Sequence, residues 1–275
     1  MIITYEEFCD ILENRIQSGE DFYLSLLETV INNPTRYCGL FRLSNAKTKL
    51  IQNVTQSKEI KFGDLIEELT TEYISRLGYT NFDKHLGRDS NWDDLQVDQY
   101  FTDSKKIYVV EMKIRDDHDS TKKRGQFSNF KKKVNLVLGK HKNQQVEASM
   151  WFVDDGLVKN RNYYRSEMQK EKFNNCSLHL YYGAEFFNSL NNGEQAWEEF
   201  IQILTDYRIE NSSVDVEIPD FGSSSEILNA LVKLSPRNWN KLMSDDPKIE
   251  LLRTELFSSG SNIQDAKAIR KNKLK

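Results

Sequence analysis

The sequence predicts an α/β fold, with a central mixed β-sheet flanked by helices and helical additions at both ends of the chain. Apolar residues recur at helical spacing in both terminal regions, and the middle alternates β-rich runs with helical segments. Hydrophobic residues make up 38% of the 275 positions. A chain of this length and composition can bury an ordered core.

The N-terminal region is predicted to form helices. One apolar series comprises Tyr5, Phe8, Ile11, Leu12 and Ile16, and a second runs from Phe22 to Ile31 and stops before Pro34. A third helix is predicted over 62–77, with Gly78 as its C-terminal stop and acidic residues on its polar face.

The pattern then changes to that of a β-hairpin. Residues 95–100 alternate apolar and polar, 102–105 can turn, and 107–114 are rich in β-forming residues. Strands are also predicted at 146–153 and 177–182. Helices are predicted at 121–140, 160–173, 184–190 and 194–207.

Composition shifts divide the predicted fold into a first domain over residues 1–208, with its core at about 60–190, and a linker over 209–223. A small helical region follows over 224–275. Its helices begin near Ser224, at Ser235-Pro236 and at Asp246-Pro247, and the basic end from Ser258 is expected to be mobile.

Charge is unevenly distributed along the chain. The net charge is -4, yet residues 105–142 carry twelve basic against four acidic residues, a net +8. Cys9, Cys38 and Cys176 lack the spacing of a zinc or redox site and are expected to be buried free thiols with a structural role. Without a membrane-length apolar run or a signal-like N-terminus, we expect a cytoplasmic protein that does not bind membranes.

The candidate catalytic residues are Asp98, Glu111 and Lys113. On a strand Glu111 and Lys113 project from one face while Met112 points into the core, and a hairpin partner can bring Asp98 beside them. Two close carboxylates repel each other unless a cation lies between them, and Mg²⁺ binds through one or two carboxylates. With a neighbouring lysine to orient water and offset charge on phosphate, this set suits phosphodiester hydrolysis.

At these residues the sequence resembles the PD-(D/E)XK nucleases, and among them the type II restriction endonucleases. Glu111-Met112-Lys113 stands as the (D/E)XK half and Asp98 as the preceding acid, although Val97 replaces the familiar proline. The resemblance covers about 60–190, where it implies a restriction-endonuclease-like core in the first domain. It also implies an acidic residue on the preceding helix, Glu67, with Glu68 as the fallback.

The resemblance further implies cleavage of double-stranded DNA at a specific short sequence with Mg²⁺. A cognate DNA methyltransferase is then the expected functional partner. Cleavage of both strands at a palindrome favours a homodimer, whereas an asymmetric site does not require one.

The basic segment after Lys113 is predicted to contact DNA. Its candidate residues are Arg115, His118, Lys122, Lys123, Arg124, Gln126 and Lys131. The cations can hold the phosphate backbone, and Arg115 and Arg124 can instead bind guanine edges. A solvated helix face is the other interpretation of these charges, and His118 among its aspartates is also open to a capping or a metal-binding role.

Two other functions remain open. A repair or junction-resolving nuclease has the same chemistry but recognises DNA structure, so branched and linear substrates distinguish it. A DNA-binding module without hydrolytic activity has Glu111 and Lys113 as a structural ion pair, and it binds DNA without magnesium-dependent nicking.

Overall fold

A computed structural model of the chain describes residues 1–15, 20–88, 92–114, 120–211 and 218–273. The helices are α1 (Tyr5–Arg15), α2 (Glu20–Asn32), α3 (Pro34–Tyr37), α4 (Ala46–Arg76), α5 (Ser120–Lys140), α6 (Arg161–Lys170), α7 (Glu185–Asn188), α8 (Gly193–Glu210), α9 (Ser225–Lys233), α10 (Pro236–Leu242), α11 (Pro247–Phe257) and α12 (Asn262–Lys273). The strands are β1 (Thr80–Asn81), β2 (His85–Arg88), β3 (Asp94–Gln96), β4 (Gln99–Thr102), β5 (Lys106–Lys113), β6 (Gln145–Phe152) and β7 (Cys176–Tyr182).

A five-stranded mixed sheet forms the centre of the fold, as the sequence predicts. Its order is β1-β4-β5-β6-β7. β4 and β5 form the predicted antiparallel hairpin, with Gln99 opposite Val110 and Thr102 opposite Ile107. β5, β6 and β7 run parallel to one another, and the helical crossovers α5 and α6 lie between them in the chain.

The prediction of a single strand over 95–100 is wrong, because this stretch is divided between two sheets. β3 pairs with β2 in a separate two-stranded sheet, whereas β4 belongs to the five-stranded sheet. Between them the Val97 N–H donates to the carbonyl oxygen of Lys84 at 3.0 Å, and Asp98 lies at a bend. Alternating polarity fits both short strands, so the sequence pattern does not reveal the change of partner.

The chain divides into two compact units, each built from two chain segments. Unit 1 comprises Met1–Leu12 and Gly63–Ser212, and unit 2 comprises Glu13–Phe62 and Ser213–Lys275. Unit 1 contains the five-stranded sheet. On one face of this sheet Ile107 and Val109 of β5 pack with Phe130 and Val134 of α5, and on the opposite face Trp151 contacts the rings of α7.

Unit 2 is helical, and its composition differs from the predicted domain division. Residues of α2 and of the first half of α4 share one buried cluster with α9 and α11. The N-terminal residues Glu13–Phe62 therefore pack with helices that follow the predicted linker. Apolar spacing reveals that a helix has a buried face but not which later helix covers it.

The basic end of the chain, which the sequence predicts to be mobile from Ser258, forms a helix. Helix α12 spans Asn262–Lys273, and Ala266 is fully buried within unit 2. Arg270 donates hydrogen bonds to the carbonyl oxygens of Val232 and Leu234 at 2.7 and 2.8 Å. These carbonyls lie at the end of α9, where the helix leaves them without intrahelical partners, so the basic residue that suggested solvation serves as a cap.

In the described part of the chain, Cys9, Cys38 and Cys176 form no disulfide, as predicted. The prediction that all three are buried is wrong, because Cys38 is buried but Cys9 and Cys176 are partly exposed. In the described part of the chain, no helix combines the length and the apolar character needed to span a membrane.

Candidate active site

Strand β5 places Glu111 and Lys113 on the face of the sheet that α5 covers. Alternation along the strand gives both residues the same face as Ile107 and Val109, which belong to the apolar cluster beneath α5. Glu111 is only 6% exposed, and Met112 is buried as predicted. A carboxylate this deeply buried needs compensating partners, since burial of a charge is unfavourable.

Two lysines compensate the charge of Glu111. Lys113 Nζ lies 3.0 Å from Glu111 Oε1, and Lys133 Nζ lies 2.6 Å from Oε2. Burial raises the pKa of Glu111, but the two ammonium groups outweigh burial and hold the pKa below its ordinary value. Glu111 is therefore an ionised carboxylate with a cation on each oxygen.

The bend before β4 places Asp98 beside this pair, as the hairpin spacing predicts. Asp98 Oδ2 accepts a hydrogen bond from the backbone N–H of Met112 at 2.5 Å, which fixes the carboxylate next to the Glu111–Lys113 strand. Burial, and then the negative charge of Glu111, raise the pKa of Asp98 to about 7, against the opposing effects of Lys113 and the Met112 hydrogen bond. The two carboxylates therefore lie close enough to repel each other.

Glu67 lies on α4 within electrostatic reach of Asp98, because its charge contributes to the raised pKa of Asp98. Its carboxylate accepts from Lys84 Nζ at 2.7 Å. The buried side chain of Gln99 holds α4 against β4, since its Nε2 donates to the Glu67 carbonyl oxygen at 2.7 Å and its Oε1 accepts from the Thr71 hydroxyl at 2.8 Å. Gln99 directly follows Asp98 in the chain, so these bonds fix the backbone of Glu67 beside the site.

Lys133 is a site residue that the sequence pattern does not reveal. It occurs in the run Lys131–Lys133, which resembles a solvated helix face. Phe130, Val134 and Val137 form the buried stripe of α5, and Lys133 follows Phe130 by three residues on that side. Helical spacing alone thus directs one lysine of the run inward, where it is 7% exposed.

The remaining described DNA-contact candidates lie on α5. Lys122 and Arg124 are exposed, and Gln126 is partly exposed. Lys123 Nζ lies 4.7 Å from the centroid of the Tyr163 ring, and Lys131 pairs with Glu171 at 2.8 Å. Lys122 and Arg124 near the start of α5 are thus exposed to solvent, whereas Lys131 is partly exposed and bound to Glu171. Arg115 and His118 lie outside the described residues.

Asp98 and Glu111 form a donor set of the kind that binds Mg²⁺. Among the described residues, no group of three or more His, Cys, Asp or Glu side chains is arranged to hold a metal ion. Mg²⁺ instead uses one or two carboxylates and completes its octahedral shell with water and substrate phosphate. Asp98 and Glu111 supply two oxygen donors whose mutual repulsion a cation would relieve.

The residues of this site lie within a region that matches a known protein family. One family model, described as "Type II restriction endonuclease, HinfI", matches residues 4–87 and 79–208. These segments together span three-quarters of the chain and include Glu67, Asp98, Glu111, Lys113 and Lys133. No curated protein matches the chain significantly.

Proposed function

Because this chain belongs to the HinfI family of type II restriction endonucleases, which cleave DNA at specific sites, we propose that it is a Mg²⁺-dependent PD-(D/E)XK enzyme. Its catalytic residues are Asp98, Glu111 and Lys113. The observation that carries the proposal is the convergence of two repelling carboxylates and a lysine at strand β5.

In this proposal Asp98 and Glu111 hold the metal ion. When bound, Mg²⁺ lowers the pKa of its water and offsets the charge that develops on the phosphate. The Met112 N–H donates to Oδ2 of Asp98 and so holds this carboxylate beside Glu111. Glu67 assists through its negative charge beside Asp98.

Lys113 orients the attacking water and stabilises the phosphate oxygens. Its side chain is 14% exposed and its ammonium contacts Glu111 at 3.0 Å, so it is held at the edge of the metal-binding carboxylate. Lysine suits this role because its compact ammonium presents three donors to water, carboxylate and phosphate together.

In this proposal, side chains of helix α5 contact the phosphate backbone of the DNA. Lys122 and Arg124 are exposed near its start, and Lys123 and Gln126 lie partly exposed between and after them. Cations at these positions fix the register of the duplex without determining its sequence. We also propose a cognate DNA methyltransferase, because a cell that contains a site-specific endonuclease must protect its own sites, and a homodimer if the site is palindromic.

The proposal is tested by incubating the purified protein with plasmid DNA, in Mg²⁺ or in chelator, and sequencing the ends. Discrete fragments in Mg²⁺ alone are expected. Asp98→Ala and Lys113→Ala should abolish cleavage but retain most DNA affinity, because phosphate contacts elsewhere dominate binding. Lys140→Ala, at the far end of α5, is the matched control and should cleave as the wild type does.

Three outcomes contradict the proposal in different ways. Cleavage at the wild-type rate by either active-site variant means that the site is wrong. Preferential cutting of branched substrates indicates a junction-resolving nuclease. DNA binding without nicking in Mg²⁺ indicates a binding module.

A further inference from the structure

Glu111 is already neutralised by cations from two different elements. Lys113 comes from the same strand, whereas Lys133 comes from α5. Lys133 Nζ makes the shorter contact, 2.6 Å to Oε2, and the exposed fractions of the Lys133 and Glu111 side chains are 8% and 7%. The oxygen that faces α5 is therefore occupied by a buried ammonium.

A divalent ion that used Oε2 would have to approach this ammonium. Like charges repel strongly in a poorly solvated setting, so the two cations compete for the same carboxylate. With Asp98 and Glu111 ionised, the two carboxylates and the two lysines have no net charge. Without Lys133 the same cluster would carry one net negative charge and would attract a divalent ion more strongly.

We propose that Lys133 is a positioning residue that holds Glu111 Oε2 and competes with the divalent ion for that oxygen. This proposal rests on the proposed function, because it takes Glu111 to be a metal ligand. It makes metal uptake weak in the absence of DNA. Phosphates at the site add the negative charge that lets Lys133 and the metal ion remain together.

The position of Lys133 connects the metal site to the surface proposed for DNA. Lys133 follows Arg124 by nine residues on one continuous helix, which is about 14 Å along the axis. Phosphates held by Lys122 and Arg124 therefore engage the same rigid element that carries the competing ammonium. One helix thus carries residues that act in both metal binding and DNA binding.

The test is a calorimetric titration of Mg²⁺ into the full-length protein without DNA. Lys133→Met keeps most of the side-chain volume and removes the charge that repels the metal ion, so the Mg²⁺ dissociation constant should fall about tenfold. Lys133→Arg keeps the charge and should stay close to the wild type. Lys140→Met is the matched control, since Lys140 is an exposed lysine at the far end of α5, and its Mg²⁺ affinity should not change.

Thermal unfolding and circular dichroism establish that each variant is folded. A folded Lys133→Met protein that binds Mg²⁺ no tighter than the wild type overturns the proposal. If Lys133→Met does not fold, the comparison is made with Lys133→Gln, under the same criterion. Asp98→Ala separates the two hypotheses, because Mg²⁺ binding that survives this change refutes the proposed metal site itself, whatever Lys133 does.

Discussion

Asp98 occupies an environment that is unfavourable for its charged form. Burial and the neighbouring negative charge of Glu111 raise its pKa to about 7, although Lys113 and the Met112 N–H oppose them. Strongly shifted carboxyl groups of this kind cluster at functional sites, where a bound ligand can relieve the unfavourable charge. The metal-free site is therefore held at some expense to folding stability.

A pH dependence follows from the raised pKa of Asp98. In the unfolded chain this carboxyl loses its proton near its ordinary pKa of 3.8, but in the metal-free folded protein it does so near 7. The folded state thus binds more protons between these values, so this residue makes the free energy of unfolding decrease as pH rises through that window.

Asp98→Asn should remove this contribution. We expect the variant and the wild type to have similar unfolding free energies near pH 4, and the variant to be more stable at pH 8 in chelator. Urea unfolding across this pH range measures the difference, and saturating Mg²⁺ should reduce it. If the variant and the wild type have equal unfolding free energies at both pH values, the pKa of Asp98 is not raised in the folded protein.

At the level of single residues, the sequence identifies the groups whose spacing is local. Glu111 and Lys113 are two apart on one strand, and Asp98 follows from the hairpin. Lys133 is twenty residues from Lys113, and only the packing of α5 on the sheet brings its ammonium to Glu111. Such an ion pair depends on tertiary structure that periodicity does not encode.

At the scale of elements, α5 has two distinct surfaces. Its buried stripe packs on the sheet and carries Lys133 to the site, whereas Lys122 and Arg124 near its start are exposed. These exposed residues are among the DNA contacts predicted from the sequence, and their contact with DNA stays a prediction.

The double change Lys122→Ala with Arg124→Ala should weaken DNA binding and its dependence on salt. For every phosphate that is no longer neutralised by a cation, the slope of log affinity against log salt should become shallower by about 0.9. Fluorescence anisotropy at several salt concentrations measures this slope. Lys140→Ala is the control, because it removes a positive charge about 24 Å further along the helix. An unchanged slope in the double variant would assign DNA binding to another surface.

The end of a helix could be predicted where a clear apolar series is followed by a residue that stops helices. Gly78 ends α4 with a φ of 91°, as its position after the apolar series indicates. The sequence prediction of a helix over 62–77 misses the first half of α4. Only Ala46, Leu50 and Val54 mark the buried face of that half among polar neighbours. This sparse spacing becomes informative once the helices that cover it are known.

At the scale of the whole molecule, residues that belong to one compact unit come from distant parts of the chain. Unit 2 combines α2, α3 and half of α4 with helices from the C-terminal end. The predicted first domain over 1–208 thus contains residues whose apolar partners lie beyond it, such as Leu27, Val30 and Ile31.

A protein truncated to residues 1–208 should therefore expose the apolar surface of α2 and aggregate. Deletion of α9 to α12 removes the helices that complete this buried cluster. Size-exclusion chromatography and binding of a hydrophobic dye provide the measurement, with the full-length chain as the control. A soluble, dye-negative truncation that unfolds cooperatively would show that 1–208 is an independent domain.

The discontinuous construction of unit 2 also affects synthesis on the ribosome. Helix α2 ends at Asn32, whereas α9 begins at Ser225, nearly 200 residues later. At ordinary elongation rates, this gap corresponds to about 10–40 s during which the early helices lack their partners. The supply of chaperones that shield nascent chains, as well as the stability of the finished protein, therefore helps to set how much enzyme a cell obtains.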